Sequence, residues 1–135
     1  MGLIRKPDWQ ACLAQYTSDQ SRRPFVYGAS DCALFAAGAV EAMTGTDTAS
    51  DWRGRYTTLK GGLRVLRQSG HNDHIAAAAS FMPDANRPRV GDIAVVATED
   101  GSSLGVIQGA WVYVRTMGGI GLVPVSEITR VLRCG

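Results

Sequence analysis

Cys32 is the residue whose type and position most directly suggest chemistry. It follows Asp31 at the start of an apolar segment, CALFAAGAVEAM at 32–43, which predicts a buried helix. The first turn of a helix has free N–H groups and the positive end of the helix dipole, and both stabilise a thiolate. Cys32 could therefore be a nucleophile, although a free cysteine is also often buried as a small apolar side chain.

A cysteine nucleophile requires a base within hydrogen-bonding reach. The chain has two histidines, His71 and His74, in the segment SGHNDHIA. We interpret His71 as a solvated loop residue after Gly70 and His74 as a residue near a helix start, because their spacing supplies no pair of base and orienting group.

A metal centre or other cofactor is not expected. Two histidines at i and i+3 lack a third ligand, and the three cysteines have no CxxC spacing. These patterns predict neither a zinc site nor a disulfide framework.

Asp31 has a structural explanation that requires no catalysis. Ser30 or Asp31 can cap the helix by accepting hydrogen bonds from first-turn N–H groups. We favour this capping role for Asp31 over a part in chemistry.

The composition suits one folded domain over residues 1–135. Hydrophobic residues make up 45% of the chain, charged residues 19%, and the net charge is +2. No basic block with interleaved aromatics is present, so nucleic acid is not the expected partner. No window reaches the roughly 18 apolar residues of a membrane span, and the N-terminus MGLIRKPDWQ has no apolar signal segment.

The hydrophobic pattern predicts helices first and strands second. Helices are expected at about 9–17, at 32–43, from Thr57 or Thr58 with Leu59, Leu63 and Leu66 facing inward, and at about 74–81. From Gly91 onwards the period becomes that of strands: DIAVVAT, GSSLGVIQG, AWVYVRTM, GLVPV and ITRVLR, with turns at Glu99–Ser102 and Gly109. This order predicts an α+β fold, with N-terminal helices packed on a C-terminal antiparallel meander of about four to five strands.

The segment PFVYGASDCALF at 24–35 resembles the nucleophile motif of the NlpC-type cysteine peptidases, papain-like enzymes of the bacterial cell wall. The matching positions are Pro24, Phe25, Val26, Tyr27, Gly28, Asp31, Cys32 and Ala33. A second family landmark, Gly-Asp at the start of the first strand, is matched by Gly91 and Asp92. The resemblance implies a papain-like fold with Cys32 at the nucleophile position. It also implies a part for Tyr27 in an oxyanion site, unless its ring only packs on the helix.

The sheet histidine of these peptidases is not matched. In the family, a histidine opens the second strand, before a hydrophobic residue, a glycine and Ile or Val. Leu104, Gly105 and Val106 fit that context, but Ser103 stands in the histidine position. A serine hydroxyl cannot act as a base near neutral pH. The resemblance therefore implies a peptidase-like site without its base.

A closer resemblance is to a short subfamily encoded among the tail genes of tailed phages and prophages. It is carried by TGTD at 44–47, RGRY at 53–56 and the later glycine pattern. It implies a structural protein of the tail tip, made in the bacterial cytoplasm and located in the virion, with other tail-tip or hub proteins as partners. The replacement of the sheet histidine by Ser103 favours an inactive protein. The alternative is an active peptidoglycan hydrolase with Cys32 as nucleophile and a base from His71, His74 or a neighbouring subunit. A third interpretation is a binding module unrelated to tails.

Overall fold

A computed structural model describes residues 3–98 and 101–135, in which helices precede strands. The helices are Trp9–Ser21 (α1), Cys32–Thr44 (α2), Leu59–Gln68 (α3) and His74–Ala79 (α4). The strands are Ile93–Thr98 (β1), Gly101–Gln108 (β2), Trp111–Thr116 (β3), Gly119–Pro124 (β4) and Ile128–Leu132 (β5). The predicted α+β class, with N-terminal helices and a C-terminal antiparallel sheet, is confirmed. Within these residues, no helix is both long and apolar enough to cross a lipid bilayer.

The sheet has the strand order β4-β3-β2-β1-β5. Strands β1 to β4 form the predicted meander, but β5 returns to pair antiparallel with β1, so the prediction of a simple meander is wrong at its last strand. The reason is that Ile93–Val96 of β1 is buried at every position, and an edge position would leave its backbone groups unpaired. The predicted turn at Gly109 is confirmed. In the other predicted turn, Gly101 and Ser102 belong to β2, while Glu99 and Asp100 lie outside the described residues.

Helix α2 packs against one face of the sheet and forms the centre of the main core. Its buried residues Phe35, Val40 and Met43 belong to the same cluster as Leu104 and Val106 of β2. The predicted limits of α2 are confirmed within one residue, since Asp31 caps its start and Gly45, with φ of 82°, ends it.

Helix α1 is longer than predicted. It continues to Ser21 because the buried Arg115 of β3 donates to the carbonyl of Gln20, at 2.5 Å, and to that of Arg23, at 2.6 Å. The carbonyl of Gln20 also accepts from the N–H of Arg23, so Arg115 adds a second bond at the helix end and holds the residue that follows it. The partner lies far away along the chain, so no local pattern could predict the extension.

Helix α3 is rotated relative to the prediction. Leu66 is buried as expected, but Leu59 is 58% exposed and Leu63 is only half-buried. The buried stripe instead includes Gly62 and Val65. Gly62 has no side chain, and a Cβ there would press against the ring of Tyr56, so this side of the helix approaches the rest of the fold most closely.

Asp92, the second landmark of the sequence, fixes both ends of the chain to the sheet. Its carboxylate is fully buried. Oδ1 accepts from the Cys134 N–H at 3.1 Å and from Arg5 at 3.3 Å, and Oδ2 lies 3.1 Å from Nε of Arg133. Cys134 is therefore buried, and burial raises the pKa of its thiol to about 11.

We expect Asp92→Ala to lower the free energy of unfolding by about 3 kcal/mol, because it leaves the cationic side chains of Arg5 and Arg133 without their buried partner. Urea denaturation followed by tryptophan fluorescence measures this change. The control is Asp84→Ala, which breaks an ion pair with Arg130 at the surface and should change stability far less. Equal losses in the two variants would contradict the role assigned to Asp92.

Candidate functional site

Cys32 lies in the wall of a narrow cleft with about 70 Å³ of free volume. The walls come from separate parts of the chain: Tyr27 and Tyr56 from loops, Cys32 from α2, Leu63 from α3 and His74 from α4. Most of the lining is apolar. The cleft therefore places one thiol and one imidazole in a largely apolar surrounding.

The carboxylate of Asp31 connects the elements around this cleft. The residue is only 2% exposed. Oδ1 accepts from the N–H of Leu34 at 2.9 Å, and Oδ2 accepts from the N–H of Gly28 at 2.9 Å and from the hydroxyl of Tyr56 at 2.5 Å. Asp31 thus has the capping role that the sequence favours, and it also binds two loops to the start of α2.

Gly28 explains why glycine follows Tyr27 in the motif. Its φ is 84°, a conformation that other residues rarely adopt, and a Cβ there would collide with the carbonyl oxygen of Tyr56. Its own carbonyl accepts from the N–H of Gly54 at 2.7 Å. The nucleophile motif and the RGRY segment are therefore held together by backbone contacts.

Tyr56 is the site residue that the sequence reasoning did not single out. Its hydroxyl binds Asp31, and its ring packs against Gly62. The only signal in the sequence was its place in RGRY, which gives no indication of contact with a residue 25 positions away. Tyr27, which was a candidate, is half-buried and packs edge-to-face on Phe25, with ring centroids 4.9 Å apart.

The thiol of Cys32 is held in its protonated form. Burial raises its pKa, and the negative charge of Asp31 raises it further, while the N–H groups of Cys32 and Ala33 act in the opposite direction with less effect. The helix-end stabilisation of a thiolate is therefore outweighed. The carboxylate that caps the helix is part of the reason.

His74 enters the same cleft as Cys32. It is the first residue of α4, as its position in the sequence suggests, and Asp73 caps that helix by accepting from the N–H of Ala76 at 2.8 Å. Its Nε2 is buried and has no hydrogen-bond partner among the described residues, so it makes no hydrogen bond with the Cys32 sulfur. Burial lowers the pKa of the imidazole, although Asp73 and Asp31 oppose this effect. The ring is thus neutral near pH 7.

His71 does not line this cleft. Its ring packs edge-on against Trp52, with centroids 5.7 Å apart, and its N–H donates to the carbonyl of Leu66. It is half-buried. His71 is therefore a loop residue, as interpreted, but it is only partly solvated, because the loop folds back onto the indole of Trp52.

Ser103 and Cys32 lie on different sides of the sheet. Ser103 pairs with Val96 across β1 and β2, and Val96 belongs to the core on the sheet face opposite α2, together with Ile107. Side chains alternate along a strand, so Leu104 faces α2 instead and lines a second apolar cavity that adjoins the cleft. On the side of α2, the sheet therefore offers the apolar Leu104, and Ser103 does not face Cys32.

The described residues contain no group of three or more His, Cys, Asp or Glu side chains placed to hold a metal ion. The cleft therefore brings together a protonated thiol, a neutral imidazole without a hydrogen bond at Nε2 and a buried carboxylate that is fully engaged in structural contacts. It has the components of a thiol site without the hydrogen bond between nucleophile and base that activation requires.

We expect Tyr56→Phe to lower the free energy of unfolding by about 2 kcal/mol, because it removes a hydrogen bond to the buried carboxylate of Asp31. Urea denaturation measures the change. Tyr27→Phe removes a hydroxyl from the same cleft without touching Asp31 and is the matched control. An equal loss of stability in Tyr27→Phe would show that the hydrogen bond to Asp31 does not cause the effect of Tyr56→Phe.

The raised pKa of Cys32 predicts slow alkylation near neutral pH. In a Cys12→Ser/Cys134→Ser background, the rate with iodoacetamide should follow a thiolate titration with a midpoint above the free-cysteine value of about 8.5. A chain that retains only Cys12 provides the comparison. A midpoint below the free-cysteine value would mean that the helix end prevails over burial and Asp31.

Comparison with known proteins gives a family but no activity. A search of curated proteins finds no match, and a search of solved structures finds none either. The family model described as "Domain of unknown function (DUF6950)" matches residues 4–134. This match spans nearly the whole chain, which therefore belongs to the DUF6950 family.

Proposed function

We propose that this protein is a structural component of a phage or prophage tail tip, with a peptidase-like fold and no working nucleophile–base pair. The assignment to a tail rests on the resemblance of PFVYGASDCALF, TGTD and RGRY to the short tail-encoded subfamily. Its partners are then other tail-tip or hub proteins, and its place is the virion.

The observation that carries the inactive assignment is that, in the described residues, no base forms a hydrogen bond with Cys32. Leu104, and not a histidine, faces α2 from the sheet, and burial and Asp31 raise the pKa of the thiol. Loss of a general base typically costs ~10²–10⁴-fold in rate. A fold can persist as a binding scaffold after such a loss, because catalysis depends on the site.

One observation favours the alternative, an active cysteine hydrolase of peptidoglycan. His74 lines the cleft of Cys32, and its buried Nε2 has no partner within the described part of the chain. A hydrolase would need this ring to accept the thiol proton while the sulfur attacks a peptide carbonyl. That step requires the imidazole to form a hydrogen bond with Cys32 that this structure lacks.

Complementation of a phage that carries this gene among its tail genes tests the proposal. We expect that deletion abolishes infectious particles and that wild type, Cys32→Ala and the control Cys12→Ala restore the same titre. The protein should also co-purify with intact tails, because a structural subunit stays in the particle.

Two results would contradict the proposal. Tails that are complete and infectious without the protein would exclude a structural role. The second is a loss of titre with both Cys32→Ala and His74→Ala. If wild type alone also releases peptides from purified peptidoglycan, the protein is a hydrolase instead.

A further inference from the structure

The outer face of α3 carries three cations in one column. Lys60, Arg64 and Arg67 are all exposed, stand at i, i+4 and i+7, and line one shallow groove together with Leu63. No ion pair within residues 3–98 and 101–135 involves any of the three. Like charges at i and i+4 destabilise a helix, so these three cations lower the stability of α3.

The cationic groove is continuous with the apolar cleft. Leu63 lines both of them, and Leu59, which is 58% exposed, stands at the rim of the cleft. The adjoining apolar cavity shares Tyr56 and His74 with the cleft and has the exposed Phe81 among its lining residues. The surface is thus an apolar slot with a row of positive charge along one side.

The acidic residues that line the cleft or adjoin it do not neutralise this row. Asp31 is buried and accepts hydrogen bonds from Gly28, Leu34 and Tyr56, and Asp73 caps α4. Within the described part of the chain the three cations are therefore free to meet the carboxylates of a partner.

We infer that this surface binds an acidic protein segment in extended conformation with one large apolar side chain. The apolar side chain enters the cleft beside Cys32, and carboxylates on either side meet Lys60, Arg64 and Arg67. Along α3, Lys60 and Arg64 are about 6 Å apart and Arg64 and Arg67 about 4.5 Å, while alternate residues of an extended chain are about 6.7 Å apart. The first pair is close to that spacing, and the long side chains of the second pair can spread to reach it. The identity of the partner as a neighbouring tail subunit rests on the proposed function.

His74 makes one part of the cleft polar. Its buried Nε2 lacks a partner in the described residues, and a buried polar group without a partner is costly. A lipid surface offers charge but no single apolar side chain to fill a cleft of about 70 Å³.

Binding of a defined peptide tests the inference. The probe is a short fluorescein-labelled peptide of alternating Glu and Ser with one central Leu, titrated with the full chain and measured by anisotropy. We expect Lys60→Glu/Arg64→Glu/Arg67→Glu to weaken binding about tenfold or more, as three surface ion pairs allow. The matched control, Arg22→Glu/Arg87→Glu/Arg89→Glu, makes the same change in net charge at other exposed arginines and should bind like wild type. Circular dichroism confirms that both variants fold.

A second comparison tests the apolar anchor. A peptide with Ser in place of Leu should bind wild type more weakly than the Leu peptide, and Leu63→Ser should reduce that difference. Three results would overturn the inference: no binding at millimolar peptide, equal weakening in the control variant, or tight binding to phosphatidylglycerol vesicles with no preference for the Leu peptide. Failure of the protein to enter tails would refute the tail assignment alone, because peptide binding is measured on the isolated chain.

Discussion

The fold depends on covering α2, a helix that is apolar on nearly every side. Phe35 and Val40 pack on the sheet, while Leu34 and Ala37 pack against a second cluster that contains Trp52 and Leu66. Such a helix is stable in water only when neighbouring elements surround it. The sheet, α1 and the α3 region each cover one side, and the cleft opens where the start of α2 is incompletely covered.

Two buried carboxylates attach the irregular segments to this centre. Asp31 binds the loops that carry Gly28 and Tyr56, and Asp92 binds the two terminal segments. A buried carboxylate is costly unless its oxygens are occupied, so each one fixes several partners at once. The buried carboxylate of Asp31 also affects the reactivity of Cys32, because its negative charge raises the pKa of the thiol.

In the described residues, the cleft beside Cys32 lacks the hydrogen bond between thiol and imidazole that activation requires. Its thiol is protonated, its imidazole is neutral, and Leu104 faces α2 from the sheet. A cationic column on α3 borders it, and Leu63 belongs to both surfaces. An apolar cleft bordered by cations is suited to contact with another protein, which is consistent with the proposed place in an assembly.

The sequence by itself determined the elements and the capped start of α2, because hydrophobic period, Asp31 and Gly45 act through local contacts. The resemblance also predicted Ser103 at the position of a family histidine, whereas the structure places Ser103 and Cys32 on different sides of the sheet. Only the tertiary structure decided which groups meet: the β5–β1 pairing, Tyr56 on Asp31, and the entry of His74 into the cleft. These contacts join residues far apart in the chain. Their geometry follows from packing around α2, which no local sequence pattern specifies.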